Sequence, residues 1–317
     1  MFRRAVLGCL SAFVALAAHA ADYPVKPIRV IVPYAAGGAD LYIRPLQEKL
    51  QAALGQPLVI ENVGGGGGAV GAAKAARSEA DGYTLLFAGT GAIITAPRLT
   101  GASYTWRDFA PVANVVAIPF TWVVRQDSPI DSFARLLELG RSRPGTLSYA
   151  SPGHGTSTQM GADAILAAGG AAVTEIPYQG GAPALSAVLG GHVDAMIGAP
   201  SIVMPQVEAG TLRALAVTGP ARFAPTPDVP AVGEFGVDVH VVANYGFFAP
   251  RGTPEAIVRR LAGAIQAAVA DPAYVATMRK GYNDVAFLGP QDYTSAVQEE
   301  DRYFGGLMDQ AGVGAAP

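Results

Sequence analysis

Short apolar runs alternate along this chain with longer Ala- and Leu-rich segments. Apolar runs bounded by Gly, Pro or polar residues are typical of buried strands, whereas apolar residues three and four positions apart are typical of helices. The alternation predicts an α/β fold with parallel sheets built from βαβ units. The predicted strands are residues 28–32, 58–61, 84–87, 122–125, 148–150, 174–176, 195–197, 212–217 and 246–249. The predicted helices are residues 41–54, 69–76, 133–142, 157–168, 183–189, 205–209, 254–269, 272–280 and 290–308.

The chain is long enough to form two lobes. A chain of roughly 300 residues usually divides into two domains, each with its own core. Two paired apolar stretches, Val123–Val124 and Phe247–Phe248, are each followed by a turn and a helix, and we expect them to lie in strands that cross between the lobes. This places the first lobe in residues 22–118 plus 251–317 and the second lobe in residues 119–250.

Residues 1–20 have the pattern of a secretory signal peptide. Arg3 and Arg4 form a basic segment, residues 5–17 are apolar, and Ala18-His19-Ala20 is a small-residue cleavage site. The apolar segment is shorter than the about 20 residues of a membrane anchor. We therefore expect cleavage after Ala20 and a periplasmic protein. The alternative is a lipoprotein signal ending at Cys9, although little hydrophobic sequence precedes that residue.

Composition narrows the classes of protein that fit. Half of the residues are hydrophobic and 15% are charged, as in a folded globular protein. Removal of residues 1–20 leaves 20 basic and 25 acidic residues, a net charge of −5, which disfavours nucleic acid as a partner. The remaining chain contains no cysteine, so neither disulfides nor thiol chemistry are expected. It also lacks a second apolar stretch of membrane-spanning length, so we expect it to be soluble.

The first candidate site is the turn at residues 33–38, between a strand and a helix. A glycine turn at a helix start leaves backbone N–H groups unpaired beside the positive end of the helix dipole, which favours an anion. The segment lacks the Lys and Ser/Thr of a nucleotide-binding P-loop. The alternative interpretation is an ordinary strand–helix connection.

Two further glycine turns precede helices. Residues 151–158 follow a strand, and Thr156 or Ser157 can cap the next helix. Residues 176–181 repeat the pattern of strand end, tyrosine and glycine turn. If the three turns face one cleft, their helix dipoles favour a carboxylate between the lobes. The alternative for the second turn is capping alone, and His154 is either a donor at the pocket rim or a solvated loop residue.

Other motifs carry less information. The glycine run at residues 64–68 matches a dinucleotide fingerprint only because five consecutive glycines match any such spacing, and we interpret it as a rim loop. The chain lacks a GxSxG or HExxH motif, and its histidines lack metal-ligand spacing. We therefore expect no enzyme activity, no metal and no cofactor, although scattered acidic residues leave acid–base catalysis open.

Taken in order, several segments resemble the extracytoplasmic solute receptors of the tripartite tricarboxylate transporter family, also called Bug proteins. Each segment alone is a weak match, but their order and spacing together are specific to that family. The matching segments are residues 23–38, 61–84, 105–112, 149–155, 177–180, 182–185, 210–217 and 248–254.

The resemblance implies a type II periplasmic binding-protein fold, with two α/β lobes around a cleft that closes by hinge bending. It implies that backbone N–H groups and ordered water hold a ligand carboxylate. The ligand contacts implied for the first lobe are Tyr34, Ala36, Gly37, Gly38, Thr90 and Gly91. Those implied for the second lobe are Ser151, His154, Gly155, Thr156, Ser157, Tyr178 and Gly180.

Two departures from the family pattern bear on the ligand. Asp40 follows Gly38 apparently one residue early, which could displace its carboxylate. Gly198 stands where family members often carry an aspartate that can meet a ligand amino group. Without that aspartate, a buried ammonium group would be unpaired at a cost of a few kcal/mol. We therefore predict a carboxylate ligand without an amino group.

The expected role is capture of a small organic carboxylate by a monomer that delivers it to the membrane permease of a tripartite tricarboxylate-type transporter. One alternative is a periplasmic sensor that presents the ligand to a membrane sensor kinase. Another is an exported enzyme of the same fold, for which the sequence contains no assembled nucleophile or metal site.

Overall fold

The computed structural model describes residues 23–153 and 156–310, which form two mixed α/β sheets. The predicted signal peptide lies outside these residues. The strands are β1 Ile28–Val32, β2 Leu58–Asn62, β3 Thr84–Gly89, β4 Phe109–Pro119, β5 Thr121–Arg125, β6 Ser148–Ser151, β7 Thr174–Pro177, β8 Ala195–Gly198, β9 Leu212–Val217, β10 Val242–Pro250 and β11 Val285–Leu288. The α-helices are α1 Asp40–Leu54, α2 Ala69–Ala76, α3 Gly91–Thr100, α4 Phe133–Ser142, α5 Ser157–Ala168, α6 Gly181–Leu189, α7 Pro200–Glu208, α8 Glu255–Val269, α9 Pro272–Lys280 and α10 Pro290–Gln310.

The first sheet has the strand order β11-β4-β10-β3-β1-β2. Strand β1 runs parallel to both β2 and β3, as the alternation of strands and helices predicts. Strand β10 is antiparallel to β3 and β4, and β11 is antiparallel to β4. The parallel strands end on one edge of the sheet, and the turns before α1 and α3 lie there.

The second sheet has the order β7-β6-β8-β5-β9. Strand β6 is parallel to β7 and β8, whereas β5 is antiparallel to β8 and β9. The turns before α5 and α6 follow β6 and β7, so both lie at the same edge of this sheet. Each sheet thus has a parallel half, which carries the glycine turns, and an antiparallel half, which lies next to a crossing between the sheets.

The chain crosses between the sheets at Phe120 and returns between β9 and β10. Thr218 joins the two crossings, because its hydroxyl accepts the Phe120 N–H at 2.8 Å and donates to the Val241 carbonyl at 2.6 Å. Val241 N–H donates in turn to the Thr218 carbonyl at 2.7 Å. These bonds mark the place where the two lobes are connected.

The strand pairing corrects the predicted crossing strands. Phe247 and Phe248 pair with β3 and β4 inside the first sheet, and Val123 and Val124 pair with β8 and β9 inside the second. An apolar pair of this kind indicates burial on both faces of a sheet. A central strand and a crossing strand are both buried in this way, so the pattern does not distinguish them. Residues 242–250 therefore belong with the first sheet.

Helix α1 shows how the first lobe is packed. Its buried residues Tyr42, Ile43, Leu46, Leu50 and Leu54 recur at helical spacing and form one apolar stripe. Together with α8 this stripe covers one face of the first sheet. Another apolar cluster on the opposite face contains residues of both lobes. Among the described residues, the helices are all too short or too polar to span a bilayer.

Candidate functional site

The turn at residues 33–38 leads from β1 into α1 and exposes its small residues to solvent. Ala36, Gly37 and Gly38 are all exposed. Gly37 has a φ angle of 143°, a conformation that side chains with a Cβ rarely adopt. Its N–H donates to Asp40 Oδ2 at 2.7 Å. The N–H groups of Ala36 and Gly38 make no hydrogen bond to another described residue, so they are available to an anion.

Asp40 lies in the first turn of α1 and its side chain closes this loop. The carboxylate is only 8% exposed and accepts from Arg44 Nε at 2.6 Å as well as from Asn62 Nδ2 at 3.1 Å. An acidic residue at a helix start stabilises the helix dipole. The carboxylate of Asp40 therefore already compensates part of the positive helix dipole that was predicted to attract an anion to this turn.

Tyr34 lies beneath the turn. Its ring packs near Tyr245, with ring centroids 6.5 Å apart, and near Gly68. Burial raises the pKa of the Tyr34 hydroxyl well above its ordinary value, and that hydroxyl hydrogen-bonds the Gly89 backbone. The hydroxyl thus connects this turn to the end of β3, where the next predicted contacts lie.

Thr90 and Gly91 begin helix α3. The Thr90 N–H donates to the Asn244 carbonyl at 3.0 Å, and the Thr90 hydroxyl donates to Glu300 Oε2 at 2.5 Å. Both donors of Thr90 are therefore used within the protein. The N–H of Gly91 has no partner among the described residues, so Gly91 is the donor that this helix start presents.

Glu300 comes from α10, 210 residues away in the sequence. Its second oxygen accepts from Asn244 Nδ2 at 2.5 Å. Desolvation by burial is the largest effect on this group and raises the pKa of Glu300 to about 7, while the hydrogen bonds from Thr90 and Asn244 act in the opposite direction. Glu300 has no signature in the sequence, because a single glutamate in an amphipathic helix gives no local signal of burial.

In the second lobe, the loop after β6 is built around Ser151 and Thr156. Ser151 is fully buried; its hydroxyl donates to Glu175 Oε1 at 2.6 Å and accepts the Gly153 N–H at 3.1 Å. Thr156 caps α5 by accepting the Gln159 N–H at 3.2 Å, and its hydroxyl donates to the Gly153 carbonyl. These side chains hold the loop, which leaves backbone groups to meet a ligand. His154 and Gly155 lie outside the described residues.

The turn after β7 lies directly beside this loop. The Tyr178 N–H donates to the Ser151 carbonyl at 3.1 Å, and the Gly180 N–H donates to the Pro152 carbonyl at 3.0 Å. Tyr178 and Gly180 are both partly exposed. The structure therefore brings the second and third predicted turns together at one edge of the second sheet.

The loops of the two lobes meet at Gly91 and Ser157. A methyl group added to Gly91 would lie 3.6 Å from Ser157 Oγ. Tyr34 reaches Gly89 at the other end of the same loop, so the three loops form a continuous series of contacts. The starts of α3 and α5 thus meet, while the turn at residues 33–38 connects to this place through Tyr34 and the turn at residues 176–181 through Ser151.

A separate cavity of about 480 Å³ lies between α10 and the returning crossing. None of the predicted contacts lines it, although Asn244 and Glu300 do. Among the described residues, the acidic and histidine side chains form no group of three or more that could hold a metal ion. The other residues that line the cavity and bear on its chemistry are Asp238, His240, Glu299 and Tyr303.

Gly198 ends β8 and is buried. A Cβ atom added there would lie 2.8 Å from Met196 Cε and 3.0 Å from Val203 Cγ1. Apolar side chains therefore fill the space that a carboxylate at this position would enter.

Comparison with known proteins identifies the relatives of this chain. Residues 42–313 match the sequence model of a protein family, the tripartite tricarboxylate transporter family receptors. The periplasmic binding protein BugD is 33% identical with a TM-score of 0.76, and the match covers 92% of this chain and 99% of BugD.

Two further solved structures hold carboxylates. A protein of R. palustris solved with adipate is 30% identical with a TM-score of 0.80, over 92% of this chain and 99% of that protein. MatC from Rhodopseudomonas palustris, solved with bound malate, is 29% identical with a TM-score of 0.75, over 90% and 99% of the two chains. The matched family is one of receptors, and the similarity to these three structures confirms the predicted fold class.

Proposed function

Because this chain belongs to the family of tripartite tricarboxylate transporter receptors, we propose that it is a periplasmic receptor that captures a small organic carboxylate lacking an amino group. Delivery to the membrane permease of a tripartite tricarboxylate-type transporter is the second part of the proposal. The family is one of receptors, and its relatives bind adipate and malate.

The observation that carries the proposal is the meeting of the loops at Gly91 and Ser157. Ala36, Gly38 and Gly91 present N–H groups from the first lobe, and the starts of α5 and α6 contribute those of the second. A charge-assisted hydrogen bond to a carboxylate contributes about 1.5–3 kcal/mol. Four or five such bonds are enough for tight binding after the cost of ordering the ligand.

The prediction of a ligand without an amino group is supported by the surroundings of Gly198. Met196 and Val203 fill the space beside it, so an ammonium group at this end of the cleft would meet apolar atoms. A buried charge without a partner costs a few kcal/mol. Dicarboxylates and aromatic acids avoid this cost.

Hinge bending is the proposed closing motion. We place the first lobe in residues 23–119 plus 242–310 and the second in residues 120–241. Thr218 binds both crossings through Phe120 and Val241, so bending is expected in the backbone next to these three residues. A monomer is sufficient for this mechanism.

Isothermal titration calorimetry tests the ligand class directly. Malate and adipate should bind to the purified protein, and the amino acids aspartate and glutamate should bind at least about tenfold more weakly. Tighter binding of aspartate or glutamate would refute the exclusion of an amino group. Failure of every carboxylate in a broad panel to bind would refute carboxylate capture itself.

Two cellular measurements test the remaining parts. N-terminal sequencing of the periplasmic fraction should give Ala21 as the first residue. Deletion of the gene should reduce uptake of the bound acid, whereas a change in transcription with unchanged uptake would indicate a sensor instead.

A further inference from the structure

Glu300 connects three elements beneath the first-lobe loops: its own helix α10, the start of α3 through Thr90, and β10 through Asn244. We propose that Glu300 is a positioning residue, whose carboxylate fixes Thr90 at the start of α3 and whose proton uptake accompanies ligand capture at Gly91. This inference rests on the proposed function, because it assumes that an anion binds at the Gly91 N–H.

The geometry makes Glu300 the neighbour of the anion site. Thr90 is the residue before the first turn of α3, and its hydroxyl donates to Glu300 while its N–H donates to Asn244. Asn244 is only 7% exposed, and its side-chain oxygen accepts from Asn114 Nδ2 at 3.4 Å. Two bonds to Glu300 thus hold the residue that precedes Gly91 and the strand beside it.

The charge of Glu300 opposes a bound anion. Within residues 23–153 and 156–310, no basic side chain lies within 4.0 Å of its carboxylate, so a negative charge there is not neutralised. A ligand carboxylate at Gly91 would add a second negative charge a few ångströms away. Like charges at this separation favour the protonated form of the titrating group. Since burial already raises the pKa of Glu300 to about 7, a ligand would raise it further within the physiological range.

The ionisable groups around Glu300 do not remove this effect. Glu299 is its exposed neighbour, and its charge also raises the pKa of Glu300. Arg98 on α3 is already paired with Asp301 and Asp309. The other ionisable groups that line the cavity are Asp238, His240 and Tyr303, and Tyr293 lies on α10 itself. The helices packed beside α10 add Asp163 on α5 and Glu255, Arg259 and Arg260 on α8.

The cavity between α10 and the returning crossing gives Glu300 a route to water. Glu300 and Asn244 both line this space of about 480 Å³. A proton can therefore exchange with solvent from the cavity while the ligand occupies the gap on the other side of Thr90. Binding and proton uptake are then linked, and each must affect the other equally.

The test uses malate and adipate as probes, since both are fully ionised above about pH 6.5. Affinity is measured by calorimetry between about pH 6.5 and 8.5, in buffers of different ionisation enthalpy that report net proton uptake. If binding raises the pKa of Glu300 by about one unit, affinity should fall roughly fivefold across this range. The variant Glu300→Gln keeps the shape and removes the charge, and it should bind with an affinity that does not change with pH. Glu299→Gln is the matched control and should retain the wild-type pH dependence.

A second readout does not need a ligand. A carboxyl ¹³C titration of the free wild-type protein, assigned by its loss in Glu300→Gln, should show one group that titrates near pH 7. An ordinary carboxyl pKa for Glu300 overturns the inference whether or not a dicarboxylate binds. pH-independent binding to the wild-type protein, or equal pH profiles for Glu300→Gln and wild type, also overturns it. If neither probe binds while Glu300 titrates near pH 7, it is the proposed ligand class that has failed, and the placement of Glu300 is supported.

Discussion

The two lobes differ in the side-chain groups that bind at the N-terminal ends of their helices. In the first lobe, the turn before α1 is bound by the carboxylate of Asp40, and the start of α3 is bound by the carboxylate of Glu300. In the second lobe, α5 is capped by the hydroxyl of Thr156, and α6 follows Gly180 without any side-chain cap. At these two starts of the first lobe the bound group is a carboxylate, whereas the start of α5 is capped by a hydroxyl and the start of α6 has no side-chain cap.

This difference shows that a glycine turn before a helix is not by itself an empty anion site. At α5 and α6 a ligand carboxylate meets helix starts that are not capped by a carboxylate, and Glu175 is bonded to Ser151 further back in the loop. At α1 and α3 it approaches a carboxylate that is bound at the helix start itself. We therefore expect the second lobe to supply most of the electrostatic affinity and the first lobe to supply selectivity and a response to pH.

The largest expected effect is a pH-dependent loss of stability at Glu300. The pKa in the folded protein is about 7, against an ordinary value of 4.5. As pH rises through this interval, the unfolded chain ionises while folded Glu300 keeps its proton, so stability falls by about 3 kcal/mol and levels off once pH has passed about 7. Urea unfolding should therefore show that Glu300→Gln is more stable than wild type by that amount at pH 8 and by little at pH 5.

The comparison with Glu299→Gln isolates this contribution from other carboxylates whose pKa is lowered, such as Glu234 beside Arg222. Those groups make stability rise with pH, opposite in sign to Glu300. Equal profiles of stability against pH for Glu300→Gln and Glu299→Gln would show that ionisation of Glu300 does not destabilise the folded protein. The start of α3 would then no longer differ electrostatically from the helix starts of the second lobe.

Replacement of Asp40 by Asn tests the other carboxylate of the first lobe. The change removes the charge that accepts from Gly37 and Arg44, and we expect a loss of about 2 kcal/mol in the free energy of unfolding. The control is Asp127→Asn, which breaks a pair with Arg125 in which Asp127 is 67% exposed. Because solvent screens a pair of this kind, the change should leave stability nearly unaltered. Similar losses of stability in the two variants would mean that the buried bonds of Asp40 stabilise the protein no more than the exposed pair of Asp127 does.

The sequence predicts the local geometry of the second-lobe turns better than that of the first-lobe turns, for a physical reason. Thr156, Ser157 and Gly180 act through capping and turn geometry, which depend on residues three or four positions apart. Their neighbours in the chain therefore contain the signal. In the first lobe, by contrast, Thr90 is held by Glu300 and Asn244, and nothing local in the sequence indicates those contacts.

The same reasoning explains which elements were missed. Helix α3 begins at Gly91 and contains Pro97, both of which argue against a helix in a local reading. Strand β4 has 11 residues with an internal proline and many alanines, and it is a strand because β10 and β11 pair with it from both sides. Long-range pairing explains the strand β4, whereas α3 forms in spite of its local sequence.

The cap of α5 provides the sharpest test of the second lobe. Thr156→Ala removes the cap and the bond to Gly153, which should lower stability by about 1 kcal/mol. It should also weaken binding of malate or adipate roughly tenfold, because the loop that carries the neutral donors loses its support. Ser132→Ala removes an equivalent cap from α4, where Ser132 accepts the Arg135 N–H at 3.2 Å. We expect it to cost the same stability without changing affinity, and an equal loss of affinity in both would place the donors elsewhere.

The smallest effect is expected where the lobes meet. Gly91→Ala adds a methyl group 3.5 Å from Thr95 Oγ1 and 3.6 Å from Ser157 Oγ, which are ordinary contact distances. Stability should therefore change by less than about 0.5 kcal/mol, while dicarboxylate affinity should fall roughly threefold because the methyl group takes space beside the N–H donor. Gly263→Ala on the exposed face of α8, where a Cβ meets nothing within 4 Å, should leave affinity unchanged. If Gly91→Ala also binds as wild type does, the ligand does not contact the start of α3, and the selective role of the first lobe must come from the turn at residues 36–38.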